Sequence, residues 1–181
     1  RQPQEALDAL DRTAMDGLPE DLAVQRRHLR ARALADDEKP GAAIALLEGD
    51  DSRDAWLLRA EIEWKRQNWI GAARAYRRLV PGPDSGRRTL TERDARFLVN
   101  WAVSLALADS ERGLQELRDT YGPFMGETPY ADVFELLTAP PERGMIDFRT
   151  IADKIGTAER FQAFMDTYVQ RLKDSGLGFI Q

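Results

Sequence analysis

The chain has 181 residues, 43% apolar and 31% charged, which is enough for one ordinary domain or two small ones with a well-hydrated surface. A formal charge of −5 and a pI near 5.1 argue against nucleic acid as a partner. The absence of cysteine excludes disulfides, thiolate metal sites and cysteine nucleophiles, and leaves both cytoplasm and periplasm open.

Almost every segment carries apolar residues at helical period and none alternates as a strand does, so the pattern predicts an all-α fold. Helices are expected near 3–13, 20–36, 40–48, 53–67, 69–80, 91–108, 111–121, 129–138, 148–155 and 158–173. The longest apolar run, Ala42–Leu47, is far short of the roughly 20 residues that span a bilayer, so membrane insertion is not expected. Gly49, Pro81-Gly82-Pro83 and Gly122-Pro123 read as helix stops. Thr128 before Pro129 reads as an N-cap with a first-turn proline, and Thr157 as the cap of the last helix. The loops 81–91 and 139–147 are longer, and the second, with Pro140-Pro141 and Gly144, is the expected subdomain boundary. The organisation is thus a helical region 1–138, a linker 139–147 and C-terminal helices 148–181. "TAERFQAFMDTYVQRL" places Phe161, Phe164, Met165, Tyr168 and Leu172 on one stripe, which reads as the core of a terminal cap.

The stretch "WLLRAEIEWKRQNWIGAARAYRRLVPGP", residues 56–83, shows the architecture best. Trp56, Ala60 and Trp64 share one helix face, and Trp69, Ala72, Ala73, Tyr76 and Leu79 form a stripe on the next helix. Small residues at Ala60 and Ala72 let two antiparallel helices approach closely. Ala31 and Ala43 repeat that spacing, and Ala102 with Leu114 repeats it again. The second-helix positions 43, 72 and 114 lie 29 and then 42 residues apart. Ala6, in "PQEALDAL", fits the second helix of a pair whose first is missing, and the start at Arg1 rather than Met reads as a cut from a longer protein. Scarce lysine and abundant arginine and alanine resemble a bacterium with GC-rich DNA.

On these residues the chain resembles the tetratricopeptide repeat family over residues 1–121. Its best unit is 53–83, with Trp56, Ala60, Trp69, Ala72 and Tyr76 in place. It departs from the family at Arg59 and Arg30, where leucine is usual, at Glu63, where an aromatic is usual, and at Leu114, where a small residue is usual. The resemblance implies a right-handed α-α superhelix of helical hairpins, closed here by C-terminal capping helices. It further implies which first-helix positions line the concave groove: His28 and Arg32, then Leu57, Glu61, Trp64 and Lys65, then Arg96, Val99 and Val103. That set lacks the lysine/asparagine clamp with which some members hold carboxylate termini.

The chemistry of individual residues is read beside that list. His28 is the only histidine, and spacing marks no partner for it, so it reads as a groove or surface residue. Arg26, Arg27, Arg30 and Arg32 read as a solvated face paired with nearby acids, or as an acceptor for an acidic peptide or a C-terminal carboxylate. Trp64 admits two readings, a groove anchor or a core tryptophan. Asp50-Asp51 precede a helix and suit its free N–H groups. No calcium-loop, phosphate-loop or nucleophile–base pattern is present, so no metal, cofactor or catalytic residue is expected. The expected function is non-catalytic: a scaffold within a larger bacterial protein, holding a protein or peptide segment in the groove. The alternatives are a self-association module with a self-filled groove, or the helical arm of an enzyme.

Overall fold

A computed structural model describes residues 2–15, 17–82 and 89–139. Among them lie eight α-helices and no strand: α1 (Gln2–Arg12), α2 (Glu20–Asp36), α3 (Pro40–Leu46), α4 (Arg53–Lys65), α5 (Trp69–Leu79), α6 (Glu92–Leu107), α7 (Glu111–Met125) and α8 (Ala131–Thr138). These residues belong to one compact unit that closes at Ala139. The helices expected at 148–155 and 158–173, the Phe161 stripe and the linker beyond Ala139 lie outside the described residues.

Three helix starts are capped by the side chains placed there. Ser52 Oγ accepts from the Ala55 N–H at 3.2 Å, and Asn68 Oδ1 from the Gly71 N–H at 3.3 Å. Thr91 and Asp94 form a reciprocal capping box at the start of α6, satisfying two N–H groups that the helix cannot. Val80 is extended, as a residue before proline must be, and α5 therefore stops at Leu79.

Neighbours in sequence pack as neighbours in space. The pairs α2–α3, α4–α5 and α6–α7 each pack together, α3 meets α4 and α5 meets α6, and α2 lies against α4 as α6 does against α8. The three pairs are closed by the same turn. Glu38, Gln67 and Asp109 stand in the left-handed region, at φ of 60°, 58° and 51°. After each, an N–H reaches back five residues: Lys39 to Leu34 O at 2.8 Å, Asn68 to Glu63 O at 2.9 Å, Ser110 to Leu105 O at 2.9 Å. This is the Schellman pattern. The turns recur at the 29- and 42-residue intervals already seen in positions 43, 72 and 114. None of the three left-handed residues is glycine, and a side chain there costs roughly 1–2 kcal/mol. Gln67→Gly is therefore expected to raise unfolding free energy by about 0.5–1 kcal/mol net of the unfolded-state entropy of glycine, read from urea denaturation.

Ala31, Ala43, Ala60, Ala72 and Ala102 are all fully buried. Ala31 and Ala43 join Leu47, Ala55, Leu58 and Ile62 in one cluster contributed by α2, α3 with its cap, and α4. Leu114 is half-buried. At Gly71 an added Cβ would meet the Glu63 side chain at 2.6 Å, and at Gly113, in the same register, the Leu105 side chain at 2.9 Å. The turns are thus tight on both sides.

Two expected boundaries are corrected. Gly122-Pro123 does not stop α7, which runs through to Met125. Proline within a helix forfeits one hydrogen bond at about 3 kcal/mol, but Leu117, Tyr121 and Met125 lie four residues apart and are all buried, and that face outweighs the loss. Thr128 does not cap α8. Its hydroxyl donates to Met125 O at 2.8 Å, closing α7, and α8 begins after Tyr130 with no side-chain cap.

Candidate functional site

The junction of α2, α3 and α4 is the most elaborated part of the described chain. α3 is short, and its last carbonyls are met by the N–H groups of the turn that follows: Leu47 to Ile44 O, Glu48 to Ala45 O and Asp50 to Leu47 O. Arg59 of α4 adds a second tie: its guanidinium donates to Asp50 O at 2.9 Å and to Leu47 O. The same guanidinium lies 4.2 Å from the centre of the Trp56 ring, and Arg78 lies 5.1 Å from that ring. Arg59 is thus a cap for the preceding helix. Arg26 does the same one junction earlier, donating to Leu10 O at 2.7 Å and Thr13 Oγ1 at 3.1 Å.

His28 meets the same loop from α2. Its Nε2 lies 2.8 Å from Asp50 Oδ2, while Asp50 Oδ1 accepts from the Ser52 N–H at 2.9 Å. The Asp50 carboxyl is held far below the usual carboxylate range, first by Ser52 and also by His28, against an opposing push from burial. A depressed folded pKa gives stability that is present above the ordinary value near 4 and lost as pH falls below it. Asp50→Asn is therefore expected to cost about 1.5–3 kcal/mol at pH 7, the worth of charged hydrogen bonds, with the difference from the parent shrinking below about pH 4. Urea denaturation at both pH values reads it.

Beside this clasp, α2 and α4 present a joint outer face. Lys65 Nζ lies 3.0 Å from Asp36 and 3.9 Å from Glu61, and Arg32 lies 4.0 Å from Glu61. The four charges alternate in sign across the two helices. All four are at least partly solvated, so they add little stability and stay available to a ligand. At the end of α4, Trp64 stands edge-on to Trp69 at 5.3 Å and to Tyr76 at 6.4 Å, and Tyr76 reaches Phe97 of α6 at 6.2 Å. Burial, then the charge of Glu61, pushes the Tyr76 hydroxyl up, so it stays protonated.

The residues expected on the groove are therefore placed unequally. Arg32, Glu61 and Lys65 come together, with half-buried Leu57 and Trp64 on the same helix and His28 one turn from Arg32. Trp64 falls between its two readings: partly packed on its own hairpin and partly open. Arg96 is half-buried on α6. Val103 is only 6% exposed and Val99 is fully buried. Sequence reasoning missed Asp50 as the partner of His28, Asp36 as the partner of Lys65, and Arg59 as a cap. Helix ends rich in acid were the available signal for the first two. Among the described residues no group of three or more His, Asp or Glu is arranged to hold a metal, and no helix is long and apolar enough to cross a membrane. Comparison with protein-family models, with curated proteins and with solved structures finds no match.

Proposed function

We propose that the chain is a tetratricopeptide-like array acting as a non-catalytic binding module, which holds an extended segment of another protein along the joint face of α2 and α4. The observation that carries this is the convergence of Arg32, Glu61 and Lys65. They come from helices 29 residues apart in register, and each remains at least partly exposed. Alternating charges beside a half-open tryptophan suit a segment of mixed charge with an apolar anchor. The hairpins are joined by the Arg59 and His28 contacts, so the face is preorganised and little ordering entropy is lost on binding. The burial of Val103 and the seat of α8 on α6 favour a second, narrower reading for the other end, in which the groove is filled by the chain itself.

Photo-crosslinkers at positions 32 and 61, with one at Arg74 as a control on α5, test the proposal. Crosslinked partners shared by 32 and 61, absent at 74, and lost in Trp64→Ala and Lys65→Glu support it. Binding indifferent to both changes removes it. A central tryptophan anchor is worth about 2 kcal/mol or more, so Trp64→Ala is expected to weaken affinity roughly thirtyfold.

A further inference from the structure

The outer face of α5 carries one sign of charge, and we infer that it is a binding surface of its own, taking an acidic segment of another protein. α5 presents Ile70, Arg74, Arg77 and Arg78 on one stripe, at i, i+4, i+7 and i+8, and all four are exposed. The opposite stripe, Ala72, Ala73, Ala75 and Leu79, is buried, and α5 packs on α4 and α6. The arginines are therefore not what seats the helix. Elsewhere charges are matched: Arg30 pairs with Asp11, Lys65 with Asp36, Arg66 with Glu63 and Arg112 with Glu116. α5 has no acidic residue, and the hairpin 53–79 holds seven basic residues and three acidic ones in a chain of formal charge −5.

Two of those three acids are engaged away from α5's arginines. Glu61 faces Arg32 and Lys65, and Glu63 faces Arg66 and the Asn68 amide. Among the described residues Arg74 and Arg77 have no ion pair, and Arg78 meets Asp51, itself 76% exposed, at 3.5 Å. Like charges one turn apart, Arg74 with Arg77 and Arg78, oppose each other in the free protein. The helix C-terminus offsets this for Arg77 and Arg78 but not for Arg74. The face is also preorganised: the Arg78 guanidinium lies over the Trp56 ring at 5.1 Å, and a stacked guanidinium keeps its N–H edge for a carboxylate. Ile70, 65% exposed, adds an apolar anchor one turn ahead of Arg74. The occupant therefore carries carboxylates about 6 Å apart, the rise between Arg74 and Arg78, and an apolar side chain for Ile70. The net negative charge of the chain disfavours nucleic acid there. Residues 140–181 are not such an acidic segment, since they hold six acidic and six basic residues.

The test offers the whole chain a helical peptide with glutamates at i, i+3 and i+4 and a leucine one turn away, read by fluorescence anisotropy. A twin peptide with glutamine for each glutamate is the control. The glutamate peptide is expected to bind at least about tenfold more tightly than its twin, and the paired change Arg74→Glu, Arg77→Glu to remove at least about tenfold. Ile70→Ser is expected to weaken binding several-fold. These side chains are exposed, so the variants are expected to melt with the parent. Binding that the paired reversal leaves unchanged overturns the inference, as does equal binding of the two peptides. Duplex DNA bound as tightly as the peptide, and lost in the same variant, overturns the choice of occupant. A photo-crosslinker at position 77 that captures residues 140–181 of its own chain overturns it too. Lys65→Glu is expected to change the peptide's affinity by less than about twofold, so failure of this surface leaves the α2–α4 face standing, and the reverse holds.

Discussion

Replacing Arg59 by the leucine usual at that place in tetratricopeptide repeats is expected to destabilise this chain by about 2–4 kcal/mol. By analogy alone, Arg59→Leu looks like a repair. In the structure the guanidinium is the donor for Leu47 O and Asp50 O and lies on the Trp56 ring. Leucine offers no N–H, so Asp50 O loses the Arg59 donor and Leu47 O keeps only the Asp50 N–H. Charged hydrogen bonds are worth about 1.5–3 kcal/mol, and the cation–π contact adds about 0.5–1 kcal/mol. Arg59→Lys is expected to recover only part of the loss, since one ammonium cannot reproduce the planar fork. Urea denaturation of the three proteins gives the answer. A leucine variant as stable as the parent would mean that α3 finds its own cap and that Arg59 is surface decoration.

The second large effect separates two leucines that occupy one register position. Leu58→Ala is expected to cost about 2–5 kcal/mol, because it opens a cavity in the cluster that α2, α3 and α4 share. Leu29→Ala is expected to stay within about 0.5 kcal/mol, because that side chain is already largely in water. The same chemical change at two positions 29 residues apart, on α2 and α4, should therefore differ several-fold. Equal costs for the two changes would contradict the burial pattern.

The helical character and the positions of most described helices were legible in the sequence, because both rest on periodicity. Ala31, Ala43, Ala60 and Ala72 mark tight contacts without reference to anything distant. The boundaries were less legible where local rules and tertiary packing disagree. Pro123 is a helix breaker by itself, yet Tyr121 and Met125 bury the face that carries α7 past it. Thr128 is a good N-cap by type, yet both its N–H and its hydroxyl turn back to Met125 O. At the candidate site, the types of Arg32, Glu61 and Lys65 were readable but their pairing was not, since it depends on the lateral contact of α2 with α4. His28 and Asp50 are 22 residues apart, and no spacing rule links them. Val103 shares a helix with Arg96, and only burial distinguishes a residue facing a groove from one facing a core.

Nuclear Overhauser contacts between alanine methyl groups, in a chain labelled at alanine alone, test the nesting of the hairpins most directly. Stacked hairpins in this register place Ala31 against Ala43 and Ala60 against Ala72, with cross-peaks inside each pair. Spectra in which those methyl groups see other parts of the chain and not each other would contradict the seams, and with them the array.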